Sequence, residues 1–318
     1  MTGRERFLTT LVFQEPDRPP HFEQMFELVE EAFGVSFPSE EAIAAAAGKE
    51  RAKLLAECLH IYELIIERFH WDAVSLWRPW GGDASFELVH MARHAWGDDV
   101  ALGAFIGGSA LAQETITDWM QFAVDLTDHP ERLHDDARLR SERTVYLGKR
   151  YRDAGVDFVD LVTDWGFNQG PFISPPQFAE FVTPYVREHV AALKDDGLIV
   201  MQHSDGQIMP IFDQILTMGG DILHSIDPMA GMDIAEVKRL SHGKLALMGN
   251  VKCSLLQDGP DEAIRASARY ALENAAPGGG FVFSSSNTIF QGLPLRNYEV
   301  MLDEYEVFCR ETAKSALP

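Results

Sequence analysis

His203-Ser204-Asp205 closes an apolar run, and side chains two residues apart on an extended chain point the same way. An imidazole and a carboxylate so placed would ligate a divalent metal through nitrogen and oxygen, or form a proton-transferring histidine oriented by its carboxylate. The competing structural reading is a histidine held by loop backbone, with Asp205 as N-cap of a helix beginning at Gln207. Asp164-Trp165-Gly166-Phe167 sets a second carboxylate beside two aromatic rings, which suits a pocket that stacks a flat ligand and raises a carboxyl pKa; otherwise it is a core Trp with a turn-forming Asp. In Trp77-Arg78-Pro79-Trp80 the guanidinium would grip a substrate carboxylate between aromatic walls, or simply stack on an indole at the surface.

Short apolar, β-branched runs alternate with longer stretches of helical periodicity along almost the whole chain. Strands are expected at 20–26, 72–77, 100–107, 156–163, 198–203, 221–226, 245–251 and 281–285. Helices are expected at 50–69, 109–124, 177–194, 207–218, 233–240, 260–275 and 295–313. Nearly all-apolar strands separated by helices are parallel and buried on both faces. Eight such units predict a single α/β domain over residues 1–318, a (β/α)8 TIM barrel, with 33–50 and 81–95 as excursions. An open doubly wound sheet is the alternative; neither G-x-G-x-x-G after the first strand nor G-x-x-x-x-G-K-[ST] occurs to support it. Pro277-Gly278-Gly279-Gly280 precedes a strand, so it reads as a helix stop rather than a phosphate loop.

In such a barrel the usable side chains stand at the C-terminal strand ends. In order these ends offer Glu23 and Gln24, Arg78, Asp164, His203 with Asp205, Asp227, Asn250, and Ser284 to Asn287. The expectation is a mouth where Arg78, Asp164, His203, Asn250 and Asn287 converge.

The net charge of −22 argues against nucleic acid and anionic membranes as partners. Three cysteines, Cys58, Cys253 and Cys309, have no disulfide or zinc-finger spacing, which fits a reducing cytoplasm, and no signal peptide or membrane span is read. Cys253, just past a strand, reads as a partly buried free thiol rather than a reactive one.

Several segments together resemble the uroporphyrinogen decarboxylase superfamily, which includes the methylcobalamin:coenzyme M methyltransferases and is related in fold to cobalamin-independent methionine synthase. They are Arg4-Glu5-Arg6-Phe7, Glu15-Pro16-Asp17-Arg18-Pro19-Pro20, Gly170-Pro171-Phe172-Ile173-Ser174-Pro175, Gln202-His203-Ser204-Asp205-Gly206, Ala230-Gly231-Met232-Asp233, Met248-Gly249-Asn250 and Ala276-Pro277-Gly278-Gly279-Gly280. The resemblance covers nearly the whole chain and implies the same barrel. It does not choose one reaction. Where porphyrinogen decarboxylases carry R-Q-A-G-R, this chain has Phe22-Glu23-Gln24-Met25-Phe26-Glu27; their second-strand aspartate motif is Ser75-Leu76-Trp77-Arg78 here, and the histidine near the last strand is Asn287. The methyltransferase branch holds zinc through H-x-C and a later cysteine; the matching positions here are His203, Asp205 and Ser284-Ser285-Ser286. Oxygen donors replacing sulfur make a harder, weaker site at His203 and Asp205, with little zinc expected.

The resemblance then implies a methyltransferase working between a small methylated substrate and a corrinoid, free or on a partner protein, in a homodimeric enzyme. His203, Asp164 and Asp205 are the catalytic candidates. Gln24, Trp77, Arg78, Trp165, Phe167, Asn250, Ser285 and Asn287 are the substrate-binding candidates. The competing functions are a decarboxylase of a small carboxylate or tetrapyrrole-like substrate, with Arg78 holding the acid, and a non-catalytic ligand-binding relative.

Overall fold

A computed structural model describes residues 1–241 and 243–315. Seven of the apolar runs pair as parallel strands in chain order: β1 (Ala73–Leu76), β2 (Ala101–Gly107), β3 (Phe158–Val162), β4 (Ile199–Ser204), β5 (Ile222–Ser225), β6 (Ala246–Val251) and β7 (Phe281–Ser285). Neighbouring parallel strands need a crossover. Helices Gly82–Trp96, Pro130–Ala154, Thr183–Asp195, Phe212–Met218, Ile234–Ser241 and Asp261–Ala275 supply one between each pair, and Leu295–Ser315 follows β7.

The run 20–26, expected as a strand, makes only isolated parallel bridges, His21 to Phe283 and Phe26 to Ile289. Two physical causes are visible. Pro19 and Pro20 have no N–H to give a ladder, and the Ser285 N–H, which a strand carbonyl would have accepted, goes to the Glu23 carboxylate at 3.0 Å. The segment still spans the two sheet edges: the His21 carbonyl accepts from Asp72 N beside β1 at 2.8 Å, and the Pro20 carbonyl from Phe283 N of β7 at 2.8 Å.

Other corrections concern helices. Residues 81–95 are no excursion but the crossover Gly82–Trp96. In 109–124 the chain forms a short 3-10 turn, Gln113–Thr115, and a helix only from Trp119, where the Asp118 carboxylate caps Met120 N and Gln121 N. The run 177–194 breaks at Val182, with Pro184 starting its second helix; the run 207–218 is 3-10 at Met209–Ile211 before Phe212–Met218. The 25-residue helix Pro130–Ala154 was not expected, because its buried face is mostly small or polar: Ala137, Ser141, Thr144, Gly148.

The interior is filled in layers. At the N-terminal end the Phe7, Phe22 and Phe158 rings meet at 5.3 to 6.0 Å, and Gly103 leaves room for the Phe158 ring. Beside them Asp72 holds Arg6 at 2.6 Å and Arg18 at 2.7 Å. Among the described residues, no helix is long and apolar enough to cross a membrane.

Candidate active site

Strand register aims the site. Val162 of β3, His203 of β4 and His224 of β5 are successive cross-strand partners, so their side chains leave the sheet on one face. Just beyond β3 and β4 the chain turns, and the turns bring two carboxylates to the same imidazole: His203 Nε2 stands 3.5 Å from Asp164 Oδ1 and 3.8 Å from Asp205 Oδ1. The ring is buried, while the carboxylates are about a quarter exposed, at 28% and 26%. The cluster therefore opens to solvent through its acids.

Each carboxylate is fixed. Asp164 accepts the Asp205 N–H at 2.9 Å, and its own N–H goes to Glu114 Oε2 at 3.1 Å. Asp205 accepts the Ser225 hydroxyl at 2.6 Å through Oδ1 and the Asn287 amide through Oδ2. Burial pushes the Asp205 and Glu114 carboxyls above the usual carboxylate range, and the His203 charge opposes this at both. Asp205 is thus not a helix N-cap; its carboxylate ties three strand ends together. Behind the cluster lie two fully buried carboxyls. Asp160, raised to about 7 by burial, accepts from Gln24 Nε2 at 3.2 Å, and Glu23, raised to about 7 for the same reason, accepts both the Ser284 and the Ser285 hydroxyls at 2.8 and 2.6 Å.

Of the candidate site residues, His203, Asp164, Asp205 and Asn287 come together. Arg78 does not join them: its guanidinium turns to Glu40 at 3.4 Å and stacks 5.7 Å from the Trp80 ring. Trp77 and Trp165 are core residues, each 1% exposed, packed on Tyr62 and Phe178. Gln24 and Ser285 serve the two buried acids, and Asn250 donates to the Ile226 carbonyl at 2.9 Å. Phe167 does face outward, beside Trp119, with ring centroids 5.9 Å apart. Cys253 is buried under the Ser286 hydroxyl and its thiol is pushed up to about 11 by that burial, so it is not poised as a thiolate.

Sequence reasoning missed His224, Ser225 and Glu114. The cross-strand register that sets His224 beside His203 is seen only in the structure.

A soft zinc site needs sulfur. Asp164, His203 and Asp205 bring ligand atoms within 4.8 Å of one another, but one nitrogen and two oxygens are a hard donor set, and the nearest thiol, Cys253, is held protonated. The donor set does not fit a thiol-activating zinc.

The family model for uroporphyrinogen decarboxylase (URO-D) matches residues 81–307. The uroporphyrinogen decarboxylase of Azoarcus sp. (strain BH72) is 27% identical over 230 residues, covering 70% of this chain and 58% of that protein. That of Thioalkalivibrio sulfidiphilus is 28% identical over 189 residues, covering 56% and 50%. The chain spans about half the length of the curated relatives it matches. Among solved structures, a methyltransferase from Methanosarcina mazei superposes with a TM-score of 0.78 at 17% identity, covering 97% of this chain and 99% of that one. A putative vitamin-B12 independent methionine synthase from Listeria monocytogenes gives 0.58 at 13% identity, covering 95% and 99%. At such identities the likeness is one of fold.

Proposed function

The chain belongs to the uroporphyrinogen decarboxylase family, and from that premise we propose that it is a cytoplasmic methyltransferase acting between a small methylated substrate and a corrinoid, free or on a partner protein. The segment 20–27, joined to both sheet edges, is read as closing a single (β/α)8 barrel whose mouth holds the site.

One observation carries the reading. The polar focus of the mouth is an imidazole faced by two carboxylates, and Arg78, the guanidinium a substrate carboxylate would need, is engaged elsewhere. That arrangement suits releasing a heteroatom better than gripping a polyanion. The corrinoid supplies the centre that exchanges the methyl group. His203 Nε2 donates a proton to the heteroatom released from the methyl group. Asp164 and Asp205 attract that N–H and keep it pointed at the mouth. Phe167, three residues past Asp164, and its neighbour Trp119 are exposed rings that would serve as an apolar rim for the substrate.

The names of the curated relatives favour the second reading, a decarboxylase. A screen of methylated donors with cob(I)alamin, followed by absorbance and by mass spectrometry, separates the two. Enzyme-dependent consumption of cob(I)alamin with one donor supports methyl transfer. Loss of carbon dioxide from a carboxylate substrate, with no corrinoid response, replaces it with the lyase reading, and tight small-molecule binding without turnover replaces both with a ligand-binding role.

A further inference from the structure

His203 is not held by carboxylates alone. Its Nδ1 lies 2.8 Å from Nδ1 of His224, the partner directly across from it on β5, with ring centroids 4.9 Å apart and planes tilted by 34°. Two ring nitrogens at that distance form a hydrogen bond only if one hydrogen lies between them; two lone pairs or two N–H groups would repel. Both rings are buried, His224 completely. Burial, with the neighbouring His203 charge adding to it, holds the His224 pKa well below the usual histidine range. His224 is thus a neutral ring with one N–H and one lone pair.

The opposite side of His203 decides what its partner must do. A lone pair at Nε2 would face the Asp164 and Asp205 oxygens at 3.5 and 3.8 Å, whereas a hydrogen there is attracted by both. When His203 carries hydrogens on both nitrogens, Nδ1 donates to the His224 lone pair. When it carries only the Nε2 hydrogen, Nδ1 accepts from His224. A neutral histidine serves both states; a carboxylate in its place could only accept.

We propose that His224 is a positioning residue: it locks the His203 ring so that only Nε2 faces the mouth, and it keeps the Nδ1 hydrogen bond whether His203 carries one ring hydrogen or two. This deepens the reading of His203 as the proton donor, and it is tested without any substrate, so it can fail while that reading stands.

The experiment is imidazole NMR on the full-length, 15N-labelled chain, with the His203 signals identified by their loss in His203→Gln. In the wild type a through-hydrogen-bond 15N–15N coupling between the two Nδ1 atoms is expected; its absence overturns the proposal. In His224→Leu the coupling is lost and the His203 nitrogens report a mixture of tautomers. In His224→Asn, whose amide can stand where Nδ1 stood, the wild-type tautomer returns. Wild-type His203 signals in a folded His224→Leu protein would equally overturn it, and because the coupling is read in the wild type, a variant that fails to fold does not remove the test.

Discussion

Gly206 lies against Gly166 so closely that a Cβ on Gly206 would sit 2.1 Å from the Gly166 carbonyl oxygen. The turn that carries Asp205 and the turn that carries Asp164 therefore touch backbone to backbone, and Gln207 N donates to the Phe167 carbonyl at 2.9 Å across the same contact. The two acids converge on His203 because their loops have no side chains between them. Gly206 also has φ +86°, which L side chains rarely adopt.

Gly206→Ala is accordingly expected to destabilise the protein by more than about 1 kcal/mol in urea titration, from positive φ and overlap together. Gly107→Ala is the control, since its φ is ordinary and nothing lies within 4 Å of the added carbon. Equal stability of the two variants would show that the loops do not depend on this contact.

Glu23 gives a pH signature. Its pKa is raised from 4.5 to about 7 by burial, so between those values the native state binds a proton that the unfolded chain has released. The stability this contributes is complete below about pH 4.5, is lost as pH climbs through 7, and by the linkage constant amounts to about 3 kcal/mol. Asp160, raised from 3.8 to about 7, adds a loss of the same sign. Glu23→Gln should flatten part of the fall in unfolding free energy between pH 4.5 and 7. A variant with the wild-type pH slope would mean that Glu23 is not protonated when folded.

Much of this was legible beforehand, for identifiable reasons. Seven strands showed as apolar runs because both faces of a parallel sheet are covered, and Phe281–Ser285 matches residue for residue. His203, Asp164 and Asp205 stood out because strand ends collect function in this architecture. The run 20–26 looked like a strand because its side chains are nearly all buried, yet burial is not pairing, and a side-chain carboxylate took the ladder hydrogen bond. Trp77 and Trp165 were read as pocket walls because composition reports an aromatic ring but not which side of the sheet it leaves. His224 went unseen because a histidine inside an apolar strand reads as core until the register with His203 is known.

At the opposite end of the parallel sheet, Asp72 joins Arg6 and Arg18 and also accepts His21 N at 2.9 Å, so it clamps the N-terminal segment to the start of β1. Its side chain is 3% exposed and that of Arg6 8%. Removing one partner of a fully buried pair costs about 3–5 kcal/mol, but here Arg6 keeps Asp17 at 2.6 Å, so the charge left without a carboxylate is that of Arg18. Asp72→Asn should therefore lose between about 1 kcal/mol, the scale of a surface pair, and that figure in denaturant, while the His203 NMR signals of the folded fraction stay in place. A loss below about 1 kcal/mol, the scale of a surface ion pair, would show that water reaches the cluster.

The sharpest test of the site pairs Asp164→Asn with His203→Gln. Asparagine keeps an oxygen to accept the Asp205 N–H, so the Asp164 loop should hold while the charge facing the imidazole is lost. His203 is only 4% exposed, so truncation to Ala would leave a cavity; Gln fills more of that space. A general acid contributes about 10²- to 10⁴-fold in rate, so His203→Gln should lower kcat by at least about 10²-fold in the cob(I)alamin assay with the donor found there, and Asp164→Asn should lower it as well by removing a charge that holds the Nε2 hydrogen in place. Asp164→Asn should melt close to wild type, and His203→Gln a few degrees lower because the bond to His224 is also lost. A residue that only fills space would reverse the pattern, lowering the melting temperature and sparing the specific activity of the folded fraction. Wild-type kcat in both variants would remove His203 and Asp164 from the mechanism and leave the cluster as a device for joining strand ends.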